Sequence, residues 1–339
     1  MKKKSSLLAL CLALCLALTA CGGAQTTQSE DNSGSAAPDA SVSAEAEPEG
    51  ESADASAEAE PAEEPAETSE VEADTSTTGT ASAGSENTSI TFETVEGSVT
   101  DDNGKEIVTY SYQVPTVTLA DSAAQAVVQA DLDAVVETFV TYVQDEMGPQ
   151  AKEAYETYYE GTDDGTYGFS DELTFTMARV DDAVISLVID EVGYSGGAHG
   201  WDNRYCRNYD AQTGETLTFE RLGESFRSAA EELVLAKAAE MQAEEVVSLD
   251  NYADSISFVV CDGTETYAEI YARLYPDVYG ENGSVEAPEG NLEPTYYLTQ
   301  EGITFLSGEY VMQPYAGGIV EIPLSYDDFI DVMNSQYML

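Results

Sequence analysis

Gly193-Tyr194-Ser195-Gly196-Gly197 fits the G-x-S-x-G spacing that sets a serine hydroxyl on a sharp strand-to-helix turn, where a histidine can take its proton for attack on an acyl carbon. His199 lies two residues further on and is the single histidine of the 339-residue chain. The surroundings do not fit that chemistry. Trp201 to Tyr209 alternates as a strand rather than a helix, and no histidine follows an acid downstream, where the hydrolase order requires one. Zinc needs three or four His, Cys or carboxylate ligands, and one histidine without HExxH, HxxEH or paired CxxC argues against it. Asp101-Asp102-Asn103-Gly104 and Asp163-Asp164-Gly165 are too short for an EF-hand loop and read as turns, leaving only weak, adventitious calcium binding open. A carboxylate pair for glycoside hydrolysis is the one enzymatic alternative that counting leaves standing, although no two acids are singled out. No metal and no cofactor are expected.

The same loop has two further readings. In one, Gly196, Gly197 and Gly200 permit a tight strand crossing while His199 satisfies backbone groups. In the other, Tyr194, His199 and Trp201 form a ligand-contacting edge of the kind that protein or glycan recognition uses. Pro314-Tyr315-Ala316-Gly317-Gly318 carries the same pair of readings, with Tyr315 as the contact residue and Pro314, Gly317 and Gly318 as structure. The tyrosines of 252–310 are either core or an exposed binding face.

Several elements must position these residues. Ile90 to Val99 and Ile107 to Val117 alternate around Asp101-Asp102-Asn103-Gly104, a hairpin signature. Ala124, Val128, Leu132, Val135, Phe139, Val143 and Met147 make one apolar stripe on a helix over about 122–147, which Gly148-Pro149 is expected to stop. A short second helix, about 150–159, precedes a Gly- and Asp-rich loop at 161–168. Leu173 to Val180 and Ala183 to Val192 read as a second hairpin, Trp201 to Tyr209 as a third strand, and Phe226 to Met241 as the centre of a helix over about 223–245. A looser tyrosine-rich stretch runs to about 290. Thr295 to Leu306 is a hairpin, Glu309 to Met312 and Ile319 to Leu324 are strands, and Ser325 with Asp328 starts a terminal helix. The pattern predicts an α+β fold, an antiparallel sheet of hairpins with helices packed on it, in two coupled halves over 90–200 and 201–339.

Composition bounds the partners. Residues 22–89 hold 17 acids, no Lys or Arg, no aromatic residue and only two Val, so they are expected to form a disordered acidic tether, part of a linker over 21–89. Residues 90–339 carry nine basic against 48 acidic side chains, a charge of −39 that repels phosphate backbones and favours cationic partners; nucleic acid is excluded. Met1 to Lys4 is basic, Leu7 to Ala20 is an apolar run of 14 residues, and Leu18-Thr19-Ala20-Cys21-Gly22 has the form of a bacterial lipobox. Residues 1–20 therefore read as a lipoprotein signal peptide, and Cys21 as the lipidated N-terminus of a protein held at the outer face of the cell membrane by acyl chains. With Cys11 and Cys15 in the signal, Cys206 and Cys261 remain, either as a disulfide or as two buried thiols.

A family resemblance rests on particular residues. Gly196-Gly197-Ala198-His199-Gly200, Asn208-Tyr209-Asp210, Thr213-Gly214-Glu215 and the stretch from Leu217 to Phe226 resemble the extracytoplasmic domain of RsiV-type anti-sigma factors and of PdaC-type peptidoglycan deacetylases. Tyr297 to Phe305, then Gln313-Pro314-Tyr315-Ala316-Gly317-Gly318 and Glu321-Ile322-Pro323-Leu324, are similar to that family's closing pattern. The resemblance spans about 90–335 and implies a two-part α+β domain outside the membrane, one known member being a lysozyme receptor. The sigma-factor function and the deacetylase chemistry are not carried over, because neither a cytoplasmic segment nor a deacetylase domain is found in the sequence. What the resemblance implies is a non-enzymatic module that binds a cationic, lysozyme-like protein or a cell-wall component.

Overall fold

The computed structural model describes residues 87–159, 168–281 and 283–339. The lipobox with Cys21, the signal peptide, nearly all of the tether and most of the Gly/Asp-rich loop lie outside the described residues. Among those described, no helix is long and apolar enough to cross a membrane.

The fold is α+β, built on a five-stranded sheet and a three-stranded sheet. The large sheet runs in chain order: β1 (Ser89–Thr100), β2 (Glu106–Thr118), β3 (Phe169–Val180), β4 (Val184–Tyr194) and β5 (Trp201–Asp210). Asp101 turns the first hairpin by accepting the Asn103 and Lys105 N–H groups at 2.8 Å each, with Gly104 at φ +83°. Three of the four pairings are antiparallel; β2 and β3 are parallel because helical chain crosses between them. That crossover starts with α1 (Ser122–Tyr142), capped by Asp121, whose carboxylate accepts from the Ala123 and Ala124 N–H groups. Its expected stripe is the buried one, from Ala124 through Phe139 to Val143 and Met147, packed on the sheet with Leu173, Phe175, Leu187 and Ile189.

Gly148-Pro149 does not stop the helix. The chain widens into a π turn over Val143–Met147, in which the Gly148 N–H reaches Val143 O, and continues as α2 (Gly148–Ala154). The wider turn relieves the clash between a proline ring and the carbonyl four residues back, so a proline that would end an α-helix is absorbed as a bulge.

The second core gathers around α3 (Phe219–Leu222), α4 (Phe226–Ala243) and the small sheet of β6 (Tyr296–Leu298), β7 (Gly302–Ser307) and β8 (Val320–Ser325), with Phe226, Val234, Phe305, Ile322 and Phe329 buried in it. Val188 and Cys206 on the large sheet meet Leu306 on the small one. A buried polar seam joins the layers: Ser186 Oγ donates to Asn208 Oδ1 (2.7 Å) and accepts the Leu298 N–H (2.8 Å), while Asn208 Nδ2 donates to Tyr296 O (2.7 Å). The Leu298 N–H and the Tyr296 carbonyl of the small sheet are thus satisfied by side chains of the large one, so one sheet cannot slide on the other without orphaning these groups.

Three expectations change in the C-terminal part. The tyrosine-rich stretch contains α5 (Tyr252–Val259), α6 (Tyr267–Leu274) and α7 (Pro276–Tyr279), with α6 started by a capping box of Thr266 and Glu269. Glu309 to Met312 is a turn rather than a strand, because Tyr310 takes a left-handed φ of +62°. Ser325 and Asp328 do form a capping box, but the turn they cap is a 3-10 helix over Tyr326–Phe329.

Candidate functional site

The Gly-Gly-Ala-His loop joins β4 to β5, so its context is strand-loop-strand. Gly196 and Gly197, both at φ +96°, make the reversal that a side chain would strain. Tyr194 donates its hydroxyl to Gly197 O at 3.0 Å and staples the loop from within. Gly200 closes it against the Gly193 carbonyl, immediately before Trp201. His199 projects from this frame, exposed, with its Nδ1 2.8 Å from Gly200 O.

A second loop supplies the partner. Buried Gln313 donates Nε2 to the carbonyls of Gly317 (2.7 Å) and Gly318 (3.2 Å), and the 3-10 turn Tyr315–Gly317 wraps around that amide. Gly317 is needed because a Cβ there would collide with the Gln313 side chain. Pro314 enters the turn in extended conformation and Gly318, at φ +71°, leaves it. The turn presents Tyr315, whose ring stacks on His199 with centroids 3.9 Å apart and planes 24° from parallel. Tyr310, 40% exposed, tilts against Tyr315 at 5.8 Å. The two glycine-rich motifs, more than a hundred residues apart in the chain, thus form one aromatic edge.

Two carboxylates adjoin that edge. The Asp202 N–H donates weakly to Glu309 Oε2 (3.5 Å), and Asp202 Oδ1 is buried without a hydrogen-bond partner. Burial raises the Glu309 carboxyl above its ordinary range, the Asp202 charge adds to that, and His199 works against it. Burial likewise raises Asp202, opposed by Arg204 and helped by Asp190. Arg204 is itself held by Asp190 and, at 3.1 Å, by Glu321.

Trp201 is placed elsewhere. It is half-buried, lies over Gly193 and packs with the first core, on the face of the sheet that carries Tyr205 and Tyr209 rather than Asp202. Of the four aromatic residues singled out in the sequence, His199 and Tyr315 meet, while Tyr194 and Trp201 hold the loop. Cys206 and Cys261 are both free thiols, buried, and raised by that burial.

Sequence reasoning missed Gln313, Glu309 and a pair of acids at the root of the loop. Asp171 is 2% exposed, neither carboxylate oxygen has a partner, and it stands opposite Gly193 in the β3–β4 register. Burial pushes it up to about 8, with the Glu191 charge adding to the shift. Glu191 is raised to about 7 by burial and by Glu293. The signal was parity: Phe169, Asp171, Leu173 and Phe175 share the inward face of β3, and one of the four is an acid. A cleft of about 650 Å³ lies over β1 to β4, lined largely by Glu, Ser and Thr residues such as Glu96, Ser98, Thr109 and Glu172, with Asp171 in its wall. Among the described residues, no group of three or more His, Cys, Asp or Glu converges as metal ligands would.

No family model matches the sequence, and no curated protein matches it. Among solved structures, a DUF3298-family member from Bacteroides fragilis is similar at 18% identity and a TM-score of 0.47, over 74% of this chain and 94% of that one. A DUF3298-family protein from Pseudomonas aeruginosa PAO1 is similar at 17% identity and a TM-score of 0.41, over 74% of this chain and 96% of that one. Both likenesses are of structure alone.

Proposed function

We propose that this chain is a lipid-anchored extracytoplasmic protein whose folded part is a non-enzymatic binding module for a cationic protein, such as a lysozyme-like hydrolase, or for a cell-wall component. The observation that carries the reading is the stack of exposed His199 on half-buried Tyr315, with Tyr310 against it and Glu309 and Asp202 beside it. A guanidinium or ammonium group brought to this edge would meet aromatic faces and carboxylates together, a combination worth more than either alone. The charge of −39 over residues 90–339 would speed the encounter with a basic protein, in a way that fades as salt rises. The anchor rests on the Leu18-to-Gly22 motif, and Cys21→Ser is expected to release the protein from the membrane fraction.

The test is calorimetric titration of the full chain with a cationic lysozyme at low and near-physiological salt, beside His199→Ala and Tyr315→Ala. Saturable binding near one to one that persists at physiological salt, and weakens about tenfold or more in either variant, is the expected result. Binding that vanishes with salt, or ignores both substitutions, would overturn the reading. The second reading, an envelope enzyme acting on wall glycan, rests on Asp171 and Glu191 as an acid pair with raised affinity for protons. Against it stands the burial of Asp171, which keeps its carboxyl from a glycosidic oxygen. Clearing on a peptidoglycan zymogram, lost in Asp171→Asn, would favour the enzyme.

A further inference from the structure

A second surface lies in the stretch that the sequence left as loose. Tyr267, Tyr271, Tyr275 and Tyr279 recur every four residues; the first two share one side of α6, and the ring contacts carry on through Tyr275, which leaves the helix at φ −131° and ψ 61°, to Tyr279 on α7. The rings follow one another at centroid distances of 6.3, 6.1 and 6.3 Å, and Tyr279 folds back to 4.8 Å from Tyr271. Burial falls along the series: Tyr267 and Tyr271 are 9% and 8% exposed, whereas Tyr275 is 42% exposed. The ladder therefore begins in the protein and ends at its surface.

Its outer end is apolar and shaped. Val278 and Val285 are 40% and 48% exposed, and the Val285 N–H donates to Val278 O at 3.2 Å, which fixes the two valines side by side. No residue of α7 is buried. Gly283 packs so closely on the Val278 carbonyl that no side chain would fit there, so the turn is closed on itself. Rings already in mutual contact leave little conformational entropy to be lost on binding.

The rim has one sign. Asp277, Glu281, Glu286 and Glu289 are all exposed, and the single base between 267 and 295, Arg273, is held by Glu265 at 2.8 Å. An exposed apolar patch ringed by uncompensated acids is complementary to apolar side chains flanked by Lys or Arg. We propose that Tyr275, Val278 and Val285, with Asp277, Glu281 and Glu286 around them, form a docking knuckle for a basic, amphipathic protein segment, separate from the His199–Tyr315 edge.

The probe is a twelve-residue peptide of alternating Lys and Leu blocks, titrated into the full chain at near-physiological salt, with an all-Lys peptide, a Glu/Leu peptide and tetra-N-acetylglucosamine as comparators. The expected result is saturable binding of the Lys/Leu peptide alone. It should weaken about tenfold or more in Tyr275→Ser/Val278→Ser, weaken also in Glu281→Lys, and be unchanged in Val127→Ser, an exposed apolar position on α1 that belongs to neither surface. These positions are largely exposed, so the thermal midpoint should fall by no more than a few degrees as binding is lost. Equal binding of the all-Lys peptide would reduce the surface to charge, and equal binding of the Glu/Leu peptide to indiscriminate apolar adhesion. Binding of the sugar that depends on Tyr275 would make it a glycan platform instead. Each of these, or indifference of the Lys/Leu peptide to the double substitution, would overturn the proposal.

Discussion

The two ends of the β3–β4 hairpin treat buried charge in opposite ways. At the turn end, Arg179 is fully buried and held on several sides: Nε on Asp181 (2.5 Å), and Nη1 on the Tyr326 hydroxyl (2.7 Å) and the Tyr337 carbonyl (2.6 Å). Asp181 also accepts the Ala183 and Val184 N–H groups, and Tyr337 donates its hydroxyl to Asp210 at 2.9 Å. Burial alone would push Asp181 and Asp210 up, but Arg179 and backbone N–H groups at Asp181, and Tyr337, backbone N–H groups and Arg221 at Asp210, leave both below the usual range. At the loop end, Asp171 and Glu191 are raised with no cation among the causes. One end ties the C-terminal segment to the large sheet. The other holds, beneath the loop that bears His199, two carboxyls whose protons burial retains to higher pH.

The largest effect that this contrast predicts is at Arg179. Arg179→Ala strands Asp181 and frees the Tyr326 and Tyr337 contacts, and should cost about 3–5 kcal/mol of unfolding free energy, read from urea unfolding. A loss below about 1 kcal/mol would mean that this end is no better compensated than the other.

Next comes the pH dependence. Asp181 and Asp210, depressed in the folded state, contribute stability above their unfolded values that is lost as pH falls into the acid range. Asp171 and Glu191 act with the reverse sign: raised to about 8 and about 7, they bind protons in the folded state that the unfolded chain has released, so stability declines as pH climbs from about 4 towards 8. The thermal midpoint should therefore peak on the mildly acidic side, and Asp171→Asn should flatten the decline without altering the acid limb. A midpoint that rises steadily from pH 5 to 8 would show that the loop-end acids are compensated after all.

Legibility in the sequence followed the range of the interactions. The α1 stripe from Ala124 to Met147 and the β1–β2 hairpin could be read because apolar spacing and a local Asp turn decide them. The fate of Gly148-Pro149 could not, since a π turn and a helix stop differ in how neighbouring carbonyls are received, not in residue type. The strand expected at Glu309 to Met312 failed for a related reason: alternation was present, but the chain turns there, with Tyr310 at φ +62° and the Val311 N–H donating to Gly308 O at 3.3 Å. His199 and Tyr315 were each identified from glycine-rich contexts, whereas their stacking is a contact across the fold that spacing alone does not encode.

The smallest effect on stability, and the sharpest for function, is expected at that contact. An aromatic pair at an exposed edge is worth roughly 0.5–1.5 kcal/mol, so His199→Ala and Tyr315→Ala should each lower the unfolding free energy by about 1 kcal/mol or less. In a double-mutant cycle the two losses should be non-additive by a few tenths of a kcal/mol, the signature of a direct contact. If the loop end is where stability has been exchanged for recognition, these variants will keep their fold while losing affinity for a cationic lysozyme, which Arg179→Ala, melted at the opposite end, will not do cleanly. Destabilisation by His199→Ala on the scale of Arg179→Ala would place the histidine among the structural clamps and erase the distinction between the two ends.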